Sequence, residues 1–159
     1  MASIHHQLAI RTPIAQVYAA LSEPEGIGTW WDQQTAVQTD AGLVLEHNPG
    51  EQHGVVRLKV LQRLPNRRVE WECISEHPPT SPASAWTGTH FVFELSEGPS
   101  AAADIERDCA EDDAKDNPIT TLDFRQTHYD DASPFAGFNN FAWGQVLANL
   151  KQVCESRKD

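Results

Sequence analysis

The residues of this chain best suited to chemistry are two histidines and a glutamine set among apolar neighbours. His6 falls in the alternating run Ile4–Ile10, on the row of Ile4, Leu8 and Ile10. Gln126 and His128 fall in a second alternating run, on the row of Leu122 and Phe124. Both rows read as the buried faces of strands. The three polar side chains would then stand in an apolar interior beside Trp71 and Cys73, an arrangement by which small-ligand sites fix orientation. An imidazole so placed can also act as a general acid or base, which makes His6 and His128 the catalytic candidates. The competing expectation is that all three are hydrogen-bonded core residues or sit at wet strand ends.

Other chemistries find less footing. His5 and His6 are adjacent on a strand and point to opposite faces, so they cannot readily share an ion. No carboxylate or cysteine recurs at ligand spacing, and no metal is expected. Ser22, Ser75, Ser84 and Ser133 lack a GxSxG context, and no cysteine sits in a nucleophile motif. Gly26-Ile27-Gly28 lacks the glycine pattern and strand–helix setting of a dinucleotide site, and no cofactor is expected. Cys73, Cys109 and Cys154 are few, odd in number and far apart, which suits reduced thiols rather than a disulfide framework.

The elements that must position these residues follow from periodicity. After the first strand, Thr12 caps and Pro13 opens a helix carrying Ile14, Val17, Tyr18 and Leu21, and Ser22-Glu23-Pro24-Glu25-Gly26 breaks it. A short second helix is predicted around Ile27–Asp32, bearing Trp30 and Trp31. Strands are predicted at Gln34–Thr39 and Leu43–His47, joined by a turn at Asp40-Ala41-Gly42, and then at Gly54–Leu64 and Arg68–Ser75. Each has one apolar and one polar row, as in an antiparallel sheet with one face in water. His77–Pro82 reads as a loop, Trp86–Leu95 as a strand with Phe91 and Phe93 inward, and Ile119–Tyr129 as the last strand. Between the last two, Glu97–Pro118 is rich in small and acidic residues and reads as an extended hairpin loop. Ser133–Glu155 is the longest helix, with an apolar stripe of Phe135, Phe138, Ala142, Val146, Leu150 and Val153, widened by Trp143, Leu147 and Cys154. No internal repeat or linker interrupts this order, so residues 1–159 are expected to form a single domain.

Charge narrows the partners. Twelve Lys and Arg against 23 Asp and Glu give a formal net charge of −11. Nucleic-acid binding requires a basic surface, and an anionic membrane surface would repel this one. A neutral or cationic small molecule, or a protein with a basic patch, is the better match. The first ten residues show no secretory pattern and no apolar run approaches a membrane span, so no membrane insertion is expected and the cytoplasm is the expected location.

One block carries a family signal. Pro13-Ile14-Ala15-Gln16-Val17-Tyr18-Ala19-Ala20-Leu21-Ser22-Glu23-Pro24-Glu25, followed by Trp30-Trp31, resembles the opening of the START-like (SRPBCC) superfamily. More narrowly it is similar to the branch named for the activator of the heat-shock-protein-90 ATPase. Arg68-Val69-Glu70-Trp71, Thr121-Leu122-Asp123-Phe124 and Trp143…Leu147…Leu150 fit that branch as well. Two features depart from it: Ala142 stands before Trp143 where the branch often has glycine, and the acidic stretch is longer than the usual hairpin. The resemblance implies an α+β helix-grip fold, in which a curved antiparallel sheet wraps a long C-terminal helix and two short helices follow the first strand. Relatives bind lipids or other hydrophobic molecules, act as cyclases or dehydratases, or serve as chaperone cofactors, and the fold alone does not choose among them.

Taken together, the expected function is binding of a small hydrophobic or amphipathic ligand in a cavity under the last helix. The expected lining is Trp30, Trp31, Trp71, Phe91, Phe124, Gln126, His128, Phe138 and Trp143. A cyclase- or dehydratase-like enzyme using His6 or His128 is one alternative. A chaperone cofactor or interaction module, using the acidic stretch, is the other.

Overall fold

A strand with one apolar row needs cover on one face only, and a long helix with an apolar stripe supplies it. The computed structural model describes residues 4–40, 42–49, 54–98, 118–130 and 133–156. In chain order these form β1 (Ile4–Ile10), α1 (Ile14–Ser22), α2 (Pro24–Ile27), β2 (Thr35–Thr39), β3 (Gly42–His47), β4 (Val56–Leu64), β5 (Arg68–Cys73), β6 (His90–Glu97), β7 (Thr120–Thr127) and α3 (Ala136–Ser156). A 3-10 turn at Pro82–Ala85 lies between β5 and β6. The strands make one seven-stranded antiparallel sheet in the order β1-β7-β6-β5-β4-β3-β2, curved and unclosed. This is the α+β helix-grip arrangement, with α3 lying against the sheet's concave face.

The first strand ties the two ends of the chain together. β1 pairs with β7 from Ile4↔Gln126 to Ile10↔Thr120, while β2 to β7 are consecutive neighbours in the sheet. α3 then docks on β1 through polar contacts at intervals along its length. His6 donates from Nε2 to the Asn140 carbonyl at 3.1 Å, and its ring lies against Gly144. The Lys151 ammonium donates to the Ala9 carbonyl, and Thr12 donates through its hydroxyl to the Cys154 carbonyl at 2.9 Å. Thr12 therefore closes the end of α3 rather than capping α1, whose N-terminus carries no side-chain cap.

Burial along α3 is shifted from the predicted stripe. Asn139, Trp143, Leu147, Leu150 and Cys154 are buried, Ala142, Val146 and Val153 flank them, and Phe138 and Phe141 are exposed. The buried line is still three or four residues in period, but it is centred on the tryptophan side. Other differences have local causes. The second helix is one turn at Pro24–Ile27, and Trp30 and Trp31 fall in the turn after it. Residues 86–89 leave the strand because they form a turn, closed by Thr89 N–H donating to the Trp86 carbonyl at 2.8 Å, so β6 starts at His90. A β-bulge between Val60 and Gln62 reverses parity in β4, so Arg63 stands opposite inward-facing Val69 and reaches the Ser22 carbonyl, whereas Leu61 and Leu64 are exposed. Of the predicted acidic loop, residues 99–117 lie outside the described residues, as does Cys109.

Gly26 explains how α2 fits. A Cβ there would stand 2.4 Å from the Ala19 carbonyl oxygen and 2.9 Å from the Ala20 Cα, so only glycine lets this turn press onto the α1 backbone. Gly26→Ala is therefore expected to destabilise the fold and to displace the tryptophans that follow. Leu150, fully buried on α3, offers a cleaner test of the helix–sheet contact. Leu150→Ala should cost ~2–5 kcal/mol in chemical denaturation, from lost transfer energy plus the residual cavity. A loss well below ~1 kcal/mol would contradict the placement of this helix face.

Candidate functional site

All five tryptophans of the chain belong to one aromatic cluster, although they come from four separate places in the sequence. Trp30 and Trp31 leave α2 together because Ser22-Glu23-Pro24 breaks the helix and Gly26 allows the tight return. The Trp30 indole N–H donates to the Ala20 carbonyl at 2.7 Å, which fixes that ring in the core. Trp31 is then set against Trp71, Trp86 and Trp143, with centroids 6.2, 6.1 and 5.2 Å away. Trp86 is positioned by the 3-10 turn, which is capped by the Ser81 hydroxyl accepting from Ala83 N at 3.1 Å. Trp143 projects from α3 onto Phe124, 4.4 Å between centroids.

Beside this cluster lies a half-open cleft of about 200 Å³, between the first half of α3, the 3-10 turn and the ends of β3 and β4. Trp31, Trp86, Trp143, Val56, Ala142 and Val146 make its wall apolar, and Phe138 stands at its rim with more than half its surface exposed. The polar groups it holds are Asp32, His47 and Asn139. Asn139 is committed to the fold: its amide donates to the Tyr129 hydroxyl at 2.5 Å and to the Pro82 carbonyl at 3.3 Å. The indole N–H groups of Trp86 and Trp143 are buried and have no partner among the described residues. A buried donor left unpaired costs ~1–3 kcal/mol.

His47 is buried and held in a defined tautomer. The Gln34 amide nitrogen donates to the Asp32 carbonyl at 2.7 Å, so its oxygen faces His47 Nδ1 at 3.0 Å and must accept from it. Nε2 lies 3.7 Å from the Asp32 carboxylate, too far for a hydrogen bond. Burial lowers the imidazole pKa from 6.5 to about 4, against the pull of Asp32 and with a smaller push from His77. The ring is therefore neutral near neutral pH, with Nδ1 protonated and Nε2 a lone-pair acceptor.

The residues singled out from the sequence divide into three groups. Trp31, Phe138 and Trp143 line the cleft. Trp30, Trp71, Phe91, Phe124 and Gln126 are buried behind it, and Gln126 donates to Thr89 Oγ1 at 2.9 Å while its own oxygen lacks a partner among the described residues. His6 and His128 lie elsewhere. His6 is a docking residue for α3, as described above. His128, expected on the inward row, is exposed: β7 ends at Thr127, and a φ of 62° turns His128 to the outer face, against His90 at 4.6 Å. The sequence reading passed over Trp86 and His47. Parity alone would have found His47, which shares its row with inward-facing Leu45 and pairs with buried Val56.

The lowered pKa of His47 ties stability to pH. The unfolded chain binds this proton near pH 6.5 and the folded one only near 4, so the contribution is complete above 6.5 and is lost as pH falls toward 4. Denaturation at pH 7 and pH 5 should show ~2 kcal/mol of lost stability that is missing in His47→Phe. Equal pH dependence in both proteins would contradict the assignment of a buried neutral imidazole.

No family model and no curated protein matches this chain. Solved structures do. Aha1 from Colwellia psychrerythraea, determined as a dimer in solution, superposes with a TM-score of 0.71 at 21% identity, covering 100% of each chain. MLL2253 from Mesorhizobium loti gives 0.69 at 16% identity, covering 99% of this chain and 100% of its own. CalU16 from Micromonospora echinospora gives 0.61 at 14%, covering 97% of this chain and 76% of its own. At these identities the likeness is one of fold, the α+β helix-grip.

Proposed function

We propose that this protein binds a small hydrophobic or amphipathic molecule in the cleft beside Trp31, Trp86 and Trp143. The observation that carries this reading is the half-open cleft itself, walled by Trp31, Trp86 and Trp143 and bordered by the polar side chains of Asp32 and His47. An apolar wall with a few polar groups is the usual composition of a ligand site. Size then limits the ligand. An engineered apolar cavity of about 150 Å³ takes benzene, so a cleft of about 200 Å³ suits a molecule of one or two rings rather than a long acyl chain. Trp31, Phe138 and Trp143 make contact with it, joined by Trp86, Ala142 and Val146. Trp30, Trp71, Phe91, Phe124 and Gln126 hold that wall in place from behind.

An acid–base enzyme in the same cleft is a second reading, favoured by one observation: an oriented imidazole, that of His47, borders the space. His6 and His128 do not serve it, since neither lines the cleft.

Calorimetric titration with naphthalene and with palmitate separates these expectations from a cleft of no consequence. Naphthalene should bind, palmitate should not, and Ala142→Trp, which fills the space, should weaken naphthalene by roughly tenfold or more with the fold intact by circular dichroism. Binding of palmitate alone, or naphthalene binding untouched by Ala142→Trp, would contradict the proposal.

A further inference from the structure

We infer that the cleft selects ring molecules that carry a neutral hydrogen-bond donor, an O–H or a ring N–H, and that His47 Nε2 is the acceptor that selects them. The inference rests on the cleft being the ligand site and adds the chemistry by which it discriminates.

Three observations lead to it. First, Gln34 occupies one edge of the imidazole and dictates which nitrogen carries the proton, because its amide nitrogen is already committed to the Asp32 carbonyl. Second, the opposite edge, bearing Nε2, is turned toward Asp32, and both residues line the cleft. Third, that edge faces another acceptor: a lone pair and a carboxylate oxygen stand 3.7 Å apart with no proton of their own to share. Two acceptors at that separation repel, and a donor reaching in from the cleft relieves both. Burial strengthens the discrimination, because a ligand lacking the donor would cover Nε2 without pairing it.

Charge and ring geometry decide what kind of donor fits. An anionic ligand would meet Asp32 and a protein of net charge −11. A quaternary ammonium would need an open aromatic cage, but Trp31, Trp86 and Trp143 are packed on one another, with centroids 5.2 to 6.2 Å apart. A flat neutral ring with one O–H or N–H meets the apolar wall, the imidazole and the size of the space at once.

Indole and benzofuran test this directly, since they share shape and differ in the donor. Calorimetry on the whole chain should show indole binding about fivefold more tightly, the yield of one net hydrogen bond. That preference should fall to near unity in His47→Phe. In case that variant folds poorly, nitrogen NMR of the unaltered protein gives an independent readout: indole should move the His47 Nε2 resonance toward the hydrogen-bonded position, and benzofuran should not. Equal affinities, or an Nε2 signal that does not distinguish the two probes, overturns the inference while leaving the cleft as a ligand site. Failure of both probes to bind, or binding insensitive to Ala142→Trp, overturns the inference and the proposed function together.

Discussion

Trp143 is the side chain through which the last helix and the sheet become one body. Its ring lies 4.4 Å from Phe124, 5.4 Å from Phe91 and 5.2 Å from Trp31, so it touches β7, β6 and the turn after α2 from a single position on α3. A large flat ring filling the hollow of a curved sheet contributes its full apolar area, and tilted ring pairs add ~0.5–1.5 kcal/mol each beyond that area. Its size also sets a limit. The concave face is filled beneath the middle of α3, where Phe124, Phe91 and Trp71 are all buried, and the cleft lies toward the helix N-terminus. The cleft is what the aromatic packing leaves over, and its position follows from where Trp143 and Trp31 meet.

The opposite face of the sheet is organised by charge. Arg68 bridges Glu94 at 2.6 Å and Glu70 at 2.8 Å, and Glu70 also accepts from His90 Nδ1 at 2.7 Å. Burial alone would raise the Glu70 pKa, yet the hydrogen bonds from His90 and Arg68 outweigh it and hold the carboxyl below its usual value. Asp123 is held down in the same way by His5 and Arg125 against its own burial. These pairs are partly in water, so their worth in stability is modest. Their consequence for function is one of separation: His5, His90 and His128 belong to the outer face, and the imidazole available to the cleft is that of His47.

Much of this was legible in the residues themselves. Strands with one buried face alternate visibly, and so each strand core from Ile4–Ile10 to Thr120–Thr127 could be read to within a few positions. Parity failed where the backbone changed it. The bulge after Val60 put Leu64 outside, and the left-handed turn at His128 reversed one of the two histidines that strand counting had placed inside. The stripe of α3 was shifted because Phe138 counts as apolar in any pattern, while buried Asn139 does not. The cleft itself was not legible. It depends on Trp31, Trp86 and the Gln34–His47 pair meeting in space, and Trp31 and Trp86 stand in turns whose course no periodicity records.

The rings of Trp86 and Trp143 line the cleft, whereas that of Trp30 is held in the core by its bond to the Ala20 carbonyl. The five indole N–H resonances, followed by proton–nitrogen correlation NMR as naphthalene is added, report on this directly. The Trp86 and Trp143 signals should move together and saturate at one probe per chain, and the Trp30 signal should stay in place. Five signals that remain still, or a Trp30 signal that moves as far as the others, would contradict the cleft as the site of function.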